Sequence, residues 1–520
     1  MACFMDHLAV LEDSIMKRKL CLLIFLSLLS MTMNAEEGSN KNKEVLTLSW
    51  IDPWTILRGG ENFKVFQPEK NMMSFQGFRN EFIVGALLIR SRDKADIQVA
   101  FQGDREAVSS LSLKPVGEVE IKNSEGSSIW VPDALFDHPP KMGDLSDSIR
   151  NWDTIRDFPL LHFAPSTSAT LWISIDTYAL PPGAWKGEIK LTDNGKELLK
   201  APLEITIHNI ELPEDNPILG HTWSTYNEDE ELARTVKTYG INACGYYDNW
   251  EMLRKNGFRF FRFSFPLSNW HASSLESDDD SIVYHLKPIQ ETIEKLKLKP
   301  EEWALEIFDE PFDKNAWAYM AWVLKIRRQW PEVRFYANPG FSATNKNFAT
   351  VEHTIEPLKN YVSLWCPYEE YLRKPEFMKA LWACGKPIWF YTIEYSHQKP
   401  APGGRRHPWL AWRMKLDGWA FYSLKEYAKD NPWKENSCSR MYPGHTMSLW
   451  MEGLRQGVGD YKRLWLLGKK GVSYETLTEN IKALLQKGED APWGGAEPET
   501  YEKMRKRLDE MILEKFAGKY

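Results

Sequence analysis

Apolar positions along this chain follow two rhythms. Between residues 44 and 214 they come as short alternating runs broken by Gly, Pro, Asp and Asn, for example 82–90 (FIVGALLIR), 97–101, 169–178 (ATLWISIDTY), 186–191 and 202–210. Period-two runs of this length, with no sustained helical period, predict an antiparallel β-sandwich. Residues 181–185 (PPGAW) read as a turn, and 211–217 (ELPEDNP) as a linker. From Ile218 the rhythm becomes strand–helix alternation. Strands are predicted at 219–224, 241–246, 258–265, 303–308, 333–337, 362–365, 387–393 and 418–423, with helices such as 228–239, 287–296 and 315–330 between them. This pattern over 218–447 predicts a (β/α)8 TIM-like barrel, with seven or nine strands left open by the shortness of some runs. Residues 448–520 are charged and helical and read as a carboxy-terminal helical extension.

The amino-terminal segment has a targeting pattern. Lys17-Arg18-Lys19 precede an apolar run, 20–30 (LCLLIFLSLLS), and Met33-Asn34-Ala35 close it with small residues. The run is short for a transmembrane span. Asp6, Glu12 and Asp13 do not suit the region before a signal peptide, so translation is expected from Met16 and the mature chain from Glu36. The expected location is periplasmic or extracellular.

Composition narrows the classes. A net charge of −7, with basic and acidic residues interspersed, supplies no footprint for nucleic acid. Of six cysteines, Cys3 and Cys21 leave with the leader. Cys244, Cys366, Cys384 and Cys438 are widely spaced and are expected to be buried thiols, although an exported protein can hold disulfides. Neither a metal nor a cofactor is expected. Asp278-Asp279-Asp280 lacks the alternating ligand spacing of a calcium loop and reads as a solvated loop. The 23 tryptophans suit a large core, and also a carbohydrate site, where the C–H face of a sugar stacks on an aromatic ring.

Barrel enzymes place their chemistry at the carboxy-terminal ends of strands. There the fourth strand offers Asp309 and Glu310, the fifth Asn338, and the sixth Trp365 with Tyr368 and Glu369 beyond. The seventh offers Tyr391, Glu394 and Tyr395, and the eighth Tyr422. Acids, an amide and aromatics suit a pyranose. Two adjacent carboxyl groups in a desolvated mouth do not both ionise readily, so one becomes an acid near neutral pH. Adjacent residues are poorly placed to flank a glycosidic bond from both sides. They suit substrate assistance, with Glu310 protonating the leaving group and Asp309 steering a 2-acetamido oxygen onto the anomeric carbon. Asp309-Glu310-Pro311 also reads as a helix cap, and Asn338 as a loop cap. Residues 403–407 (GGRRH) read as exposed charge on a loop, or as a contact for an acidic or sulfated glycan.

The ordered set of motifs resembles glycoside hydrolase family 123, the exported β-N-acetylgalactosaminidases, and their wider kin. It comprises 308–311 (FDEP), Val131-Pro132-Asp133, 171–187 (LWISIDTYALPPGAWKG), 385–392 (GKPIWFYT), Tyr442-Pro443-Gly444 and 454–461 (LRQGVGDY). The resemblance covers most of the mature chain and implies exo-cleavage of a terminal β-linked N-acetylhexosamine, with Asp309 and Glu310 at the family's Asp-Glu positions. The implied partner is a glycan on lipid, protein or a glycosaminoglycan. Two other readings stay open. One is a covalent retaining glycosidase with Glu310 as acid/base and Glu394 as nucleophile. The other is a non-catalytic glycan-binding protein.

Overall fold

A computed structural model of the chain describes residues 45–54, 65–66, 72–122, 128–137, 145–224, 226, 229–245, 249–265, 279–311, 314–340, 350–393, 402–425, 433, 439–485 and 498–517. The predicted leader lies outside these. The chain divides into Met1–Thr47 and Leu48–Tyr520, and the architecture below is that of the second unit.

The alternating amino-terminal segment forms a five-stranded sheet and six strands of an eight-stranded one. The five-stranded sheet runs in the order Met73–Arg79, Lys196–Glu211, Gly183–Asp193, Ala95–Gly103, Leu160–Phe163, antiparallel except between its first two members. Burial along Lys196–Glu211 alternates, as expected of a strand with one face on a core and one in solvent. The other sheet is centred on Phe82–Ser91, Thr167–Asp176, Leu111–Lys122 and Ser128–Leu135. The two sheets meet where Phe75 packs edge-on to Trp50 at 6.0 Å. A Cβ on Gly85 would lie 2.7 Å from the Phe75 ring, so glycine is what admits it. The eight-stranded sheet is completed from far along the chain, by Met441–Tyr442 and Thr446–Ser448, with Met447 opposite Leu135. The division expected at 447 therefore falls inside a sheet.

Eight parallel strands follow: β1 Leu219–Thr222, β2 Ala243–Gly245, β3 Phe260–Ser264, β4 Trp303–Glu306, β5 Phe335–Ala337, β6 Val362–Trp365, β7 Tyr391–Ile393 and β8 Gly418–Tyr422. They form one curled sheet in the order β6-β5-β4-β3-β2-β1-β8-β7. Its two edges meet through parallel bridges, Trp365 to Ile388 and Tyr368 to Tyr391. Helices between the strands start where sequence chemistry directs. Asp229 accepts the Leu232 N–H and caps Glu230–Thr238, and Asn249 accepts the Met252 N–H and caps Trp250–Lys255. Alternation along each strand divides the core in two. Leu305, Ile307, Phe335 and Trp365 pack outward on the helices with Tyr319 and Trp322, while Ala304, Tyr336, Leu364, Trp389 and Ala420 fill the inside of the sheet.

Two loop expectations are overturned. Asp279 and Asp280 form the first turn of the helix Asp279–Leu296, where negative charge is favourable. Residues 403–407 lie in the helix Pro402–Arg413, and Arg405, Arg406 and His407 are buried. Acids on other elements take up the charge of the two arginines. Arg405 Nε donates to Asp460 at 2.8 Å and Arg406 Nη1 to Glu369 at 2.6 Å. This helix crosses the helix Leu449–Lys469 closely, since a Cβ on Gly404 would lie 2.2 Å from the Trp450 carbonyl and one on Gly457 2.5 Å from that of Arg405. The segments GGRRH and LRQGVGDY are thus the two sides of one helix crossing. Leu449–Lys469 also holds the sandwich. Arg463 pairs with Glu81, Arg455 donates to Ser174 Oγ at 2.8 Å, and Lys462 Nζ reaches the carbonyls of Asn80 and Glu214, each at 3.0 Å. The helices Tyr474–Leu485 and Pro498–Phe516 follow, and no described helix is long and apolar enough to cross a membrane. Cys244, Cys366 and Cys384 are free thiols, the first two buried, and Cys438 lies outside the described residues.

Asp460 is the centre of this crossing. Besides Arg405 it accepts from Trp409 Nε1 at 2.9 Å and Arg505 Nε at 2.5 Å. Burial opposes its charge, but Arg405 and Arg505 outweigh burial and hold its pKa at about 2, below the ordinary 3.8. The group therefore stabilises the fold fully above pH 3.8, and this contribution fades as pH falls through 2. Asp460→Ala, which takes a carboxylate from the buried Arg405 and the half-buried Arg505, is expected to lower stability by up to roughly 3–5 kcal/mol at neutral pH, as read from urea denaturation, with the deficit shrinking towards pH 2.

Candidate active site

The fourth strand is apolar on both faces along Trp303-Ala304-Leu305, because both faces are covered, and ends in the buried Glu306. Just past its end Ile307 and Phe308 still face the helices, with Phe308 edge-on to Tyr319 at 5.1 Å. Asp309 and Glu310 then close the segment before Pro311. Glu310 has φ +50°, a left-handed conformation uncommon outside glycine and held only where the surroundings impose it. Asn338, buried at the end of β5, supplies one such restraint. Its Oδ1 accepts the Glu310 backbone N–H at 3.3 Å, and its Nδ2 donates to Asp309 Oδ1 at 2.5 Å.

The Glu310 carboxyl is held from two sides. Tyr391 donates its hydroxyl to Glu310 Oε1. Opposite lies Gly340, where a Cβ would sit 2.0 Å from Glu310 Cδ, so any side chain there displaces the acid. Burial raises the pKa of Glu310, the Tyr391 hydrogen bond opposes the rise, the charge of Asp309 adds to it, and the value is about 7. That is the range in which a carboxyl gives and retakes a proton near neutral pH.

Beneath the pair, inside the sheet, a buried ion pair joins Arg262 on β3 to Glu306 on β4. The Arg262 guanidinium lies between aromatic rings, 5.3 Å from Trp223 and 5.4 Å from Tyr336. A Cβ on Gly245 would come within 2.7 Å of its nitrogens. Burial raises the Glu306 pKa, Arg262 counters this, Asp309 adds to the rise, and the value is about 6. Trp223 continues the aromatic lining, edge-on to Tyr391 at 5.5 Å and 6.5 Å from Tyr422.

Of the predicted residues, Asp309, Glu310, Asn338 and Tyr391 come together through these hydrogen bonds, and Tyr422 lines the same inner side. Trp365 does not join them. It is fully buried in the layer between sheet and helices, because its neighbours Leu364 and Cys366 take the inward positions. Glu394 and Tyr395 lie outside the described residues. Tyr368 lies 5.3 Å from the Tyr391 ring, while Glu369 is taken up by Arg406. Sequence reading missed Trp223, Arg262, Glu306 and Gly340. Single charges inside the apolar runs FFRFS and WALEIF were the available signal for two of them.

No family model matches the chain, and no curated protein matches it by sequence. Among solved structures it is similar to a family 123 glycoside hydrolase from Clostridium perfringens, studied for glycolipid glycan hydrolysis. The TM-score is 0.62 at 11% identity, over 90% of this chain and 99% of that one. A family 39 glycoside hydrolase from Bacteroides cellulosilyticus WH2 is more distant, with a TM-score of 0.37 at 10% identity over 75% and 81% of the two chains. At such identities the first likeness establishes a shared fold.

Raising the Glu310 pKa from the ordinary 4.5 to about 7 means that the folded state holds this proton more tightly than the unfolded chain. Stability contributed by the group is therefore present below pH 4.5 and lost as pH rises through 7. Glu310→Gln, which cannot ionise, is expected to match the wild type near pH 4 and to exceed it above pH 7, by at most about 3 kcal/mol. Denaturant titrations at a series of pH values measure this; equal stability of the two proteins at pH 8 contradicts it.

Proposed function

We propose that this protein is an exported exo-glycoside hydrolase that removes a terminal β-linked N-acetylhexosamine, N-acetylgalactosamine foremost, by a substrate-assisted retaining mechanism. The observation that carries the reading is the Asn338 bridge, which makes one unit of two consecutive carboxyl groups while burial leaves Glu310 able to hold a proton near neutral pH. The fold reading that goes with it is a (β/α)8 barrel, with the pair at the carboxy-terminal mouth. Fold likeness to a family 123 enzyme supports the same class, and the basic and apolar segment before Glu36 supports export.

In this scheme the protonated Glu310 carboxyl gives its proton to the glycosidic oxygen as the bond to the anomeric carbon breaks. The sugar's own acetamido oxygen forms the new bond to that carbon, giving an oxazolinium ion. Asp309 accepts the acetamido N–H, which orients the amide and steadies its positive charge. Glu310, now a carboxylate, then takes a proton from water as the water oxygen bonds to the anomeric carbon and the acetamido oxygen leaves it, restoring the acetamido group with net retention. Two carboxyl groups on one strand end approach the sugar from one side, which suits an internal nucleophile better than a covalent enzyme, whose two carboxyls stand about 5–5.5 Å apart across the bond. Tyr391, Tyr422 and Trp223 give a pyranose ring an aromatic lining.

The test is a panel of nitrophenyl glycosides. Release is expected from the β-N-acetylgalactosaminide, less from the glucosaminide and little from the plain β-galactoside, with inhibition by a thiazoline analogue. Asp309→Asn and Glu310→Gln are each expected to lower kcat by about 10²–10⁴-fold. Undiminished hydrolysis by Asp309→Asn ends the assisted scheme. Loss of turnover in Glu394→Gln with rescue by azide favours the covalent route, and binding without hydrolysis by the wild type favours a glycan-binding protein.

A further inference from the structure

The two surfaces that hold Glu310 are both set by one turn of chain beyond the sixth strand. Residues 337–340 run beside this turn and are bonded to it step by step. The Ala337 carbonyl accepts the Cys366 N–H at 2.8 Å, the Pro339 carbonyl accepts the Tyr368 N–H at 2.9 Å, and the Gly340 carbonyl accepts the Tyr371 hydroxyl at 2.6 Å. On its other side the turn positions Tyr391, whose N–H donates to the Pro367 carbonyl at 3.0 Å and whose ring lies 5.3 Å from Tyr368. The turn continues as the short helix Glu369–Arg373, and the buried Glu369–Arg406 pair fixes it to Pro402–Arg413. Gly340 and Tyr391, the two neighbours of the Glu310 carboxyl, are therefore referenced to a common element. On the Gly340 side the last of these bonds is made by a side-chain hydroxyl, that of Tyr371.

We propose that Tyr371 is a positioning residue for Glu310, acting through the Gly340 carbonyl. Tyr371 is fully buried, and its ring stacks on Phe377 at 4.3 Å, so removing the hydroxyl leaves the ring seated while releasing Gly340. A released Gly340 backs away from the acid, whose carboxyl then gains room and water. Desolvation is the main cause of its raised pKa, so hydration lowers it. Among the described residues, the titratable groups facing Glu310 are Asp309 from its own strand end and Tyr391 from β7, and neither is touched by the change.

The inference rests on the catalytic reading only for its kinetic half, so the test has two arms. In Tyr371→Phe, the Glu310 carboxyl followed by ¹³C NMR is expected to titrate about one pH unit lower than in the wild type. With the hydrolysable glycoside, kcat at pH 7 is expected to fall about tenfold with KM within about twofold, and the basic limb of the pH profile to move to lower pH. Glu81→Gln in the sandwich, which weakens the pair with Arg463, serves as the control for destabilisation alone, lowering Tm without moving the titration. An unchanged titration in Tyr371→Phe, or an equal shift in Glu81→Gln, overturns the proposal. If no glycoside is hydrolysed the catalytic reading fails, and the NMR arm still decides what Tyr371 does.

Discussion

Carboxyl groups on consecutive residues repel one another, and this chain keeps Asp309 and Glu310 together by giving a single amide a bond to each. Asn338 accepts from the backbone of one and donates to the side chain of the other. The first of these bonds anchors the left-handed turn at Glu310, the second fixes the direction of Asp309, and both require β5 to end at its observed height beside β4. The surrounding features follow from that registration. Gly340 is two residues past Asn338, so an amide in this place brings a residue without a side chain against the acid.

A second layer of charge supports the first. Arg262 and Glu306 are buried together inside the sheet, an arrangement whose desolvation cost is commonly as large as its Coulombic return. The guanidinium is confined by Trp223, Tyr336 and the absence of a side chain at Gly245, and it counters the rise that burial imposes on the pKa of Glu306. His221, buried nearby, has its pKa pushed well down by burial and by Arg262, and it adds no competing positive charge at neutral pH.

The sequence was legible where local rules decide the outcome. Strand ends carry the polar residues of a parallel sheet, which located Asp309, Glu310, Asn338 and Tyr391 without knowledge of packing. Trp365 shows the limit of that rule. In 362–366 (VSLWC) both faces of the strand are apolar, so the period-two signal that separates inward from outward is missing, and the wrong parity is as readable as the right one. The arginines of GGRRH look solvated for a related reason, because the acid that takes up Arg405 lies 55 residues further on. Gly340 and Tyr371, 31 residues apart, acquire meaning only from a contact between them. Roles set by long-range pairing leave no trace in local composition.

The strands at Met441–Tyr442 and Thr446–Ser448 carry a consequence for biosynthesis. The sheet they complete is otherwise made entirely from the first part of the chain, with Ser128–Leu135 next to the vacancy. During translation that strand emerges with an unpaired edge, and the residues that cover it arrive only after the whole parallel sheet, about half a minute later at roughly 10 residues per second. A bare edge of this kind invites pairing with a second nascent chain. The amino-terminal half is therefore ill-suited to life as an excised fragment, and the chain has reason to rely on chaperones until its last third is made.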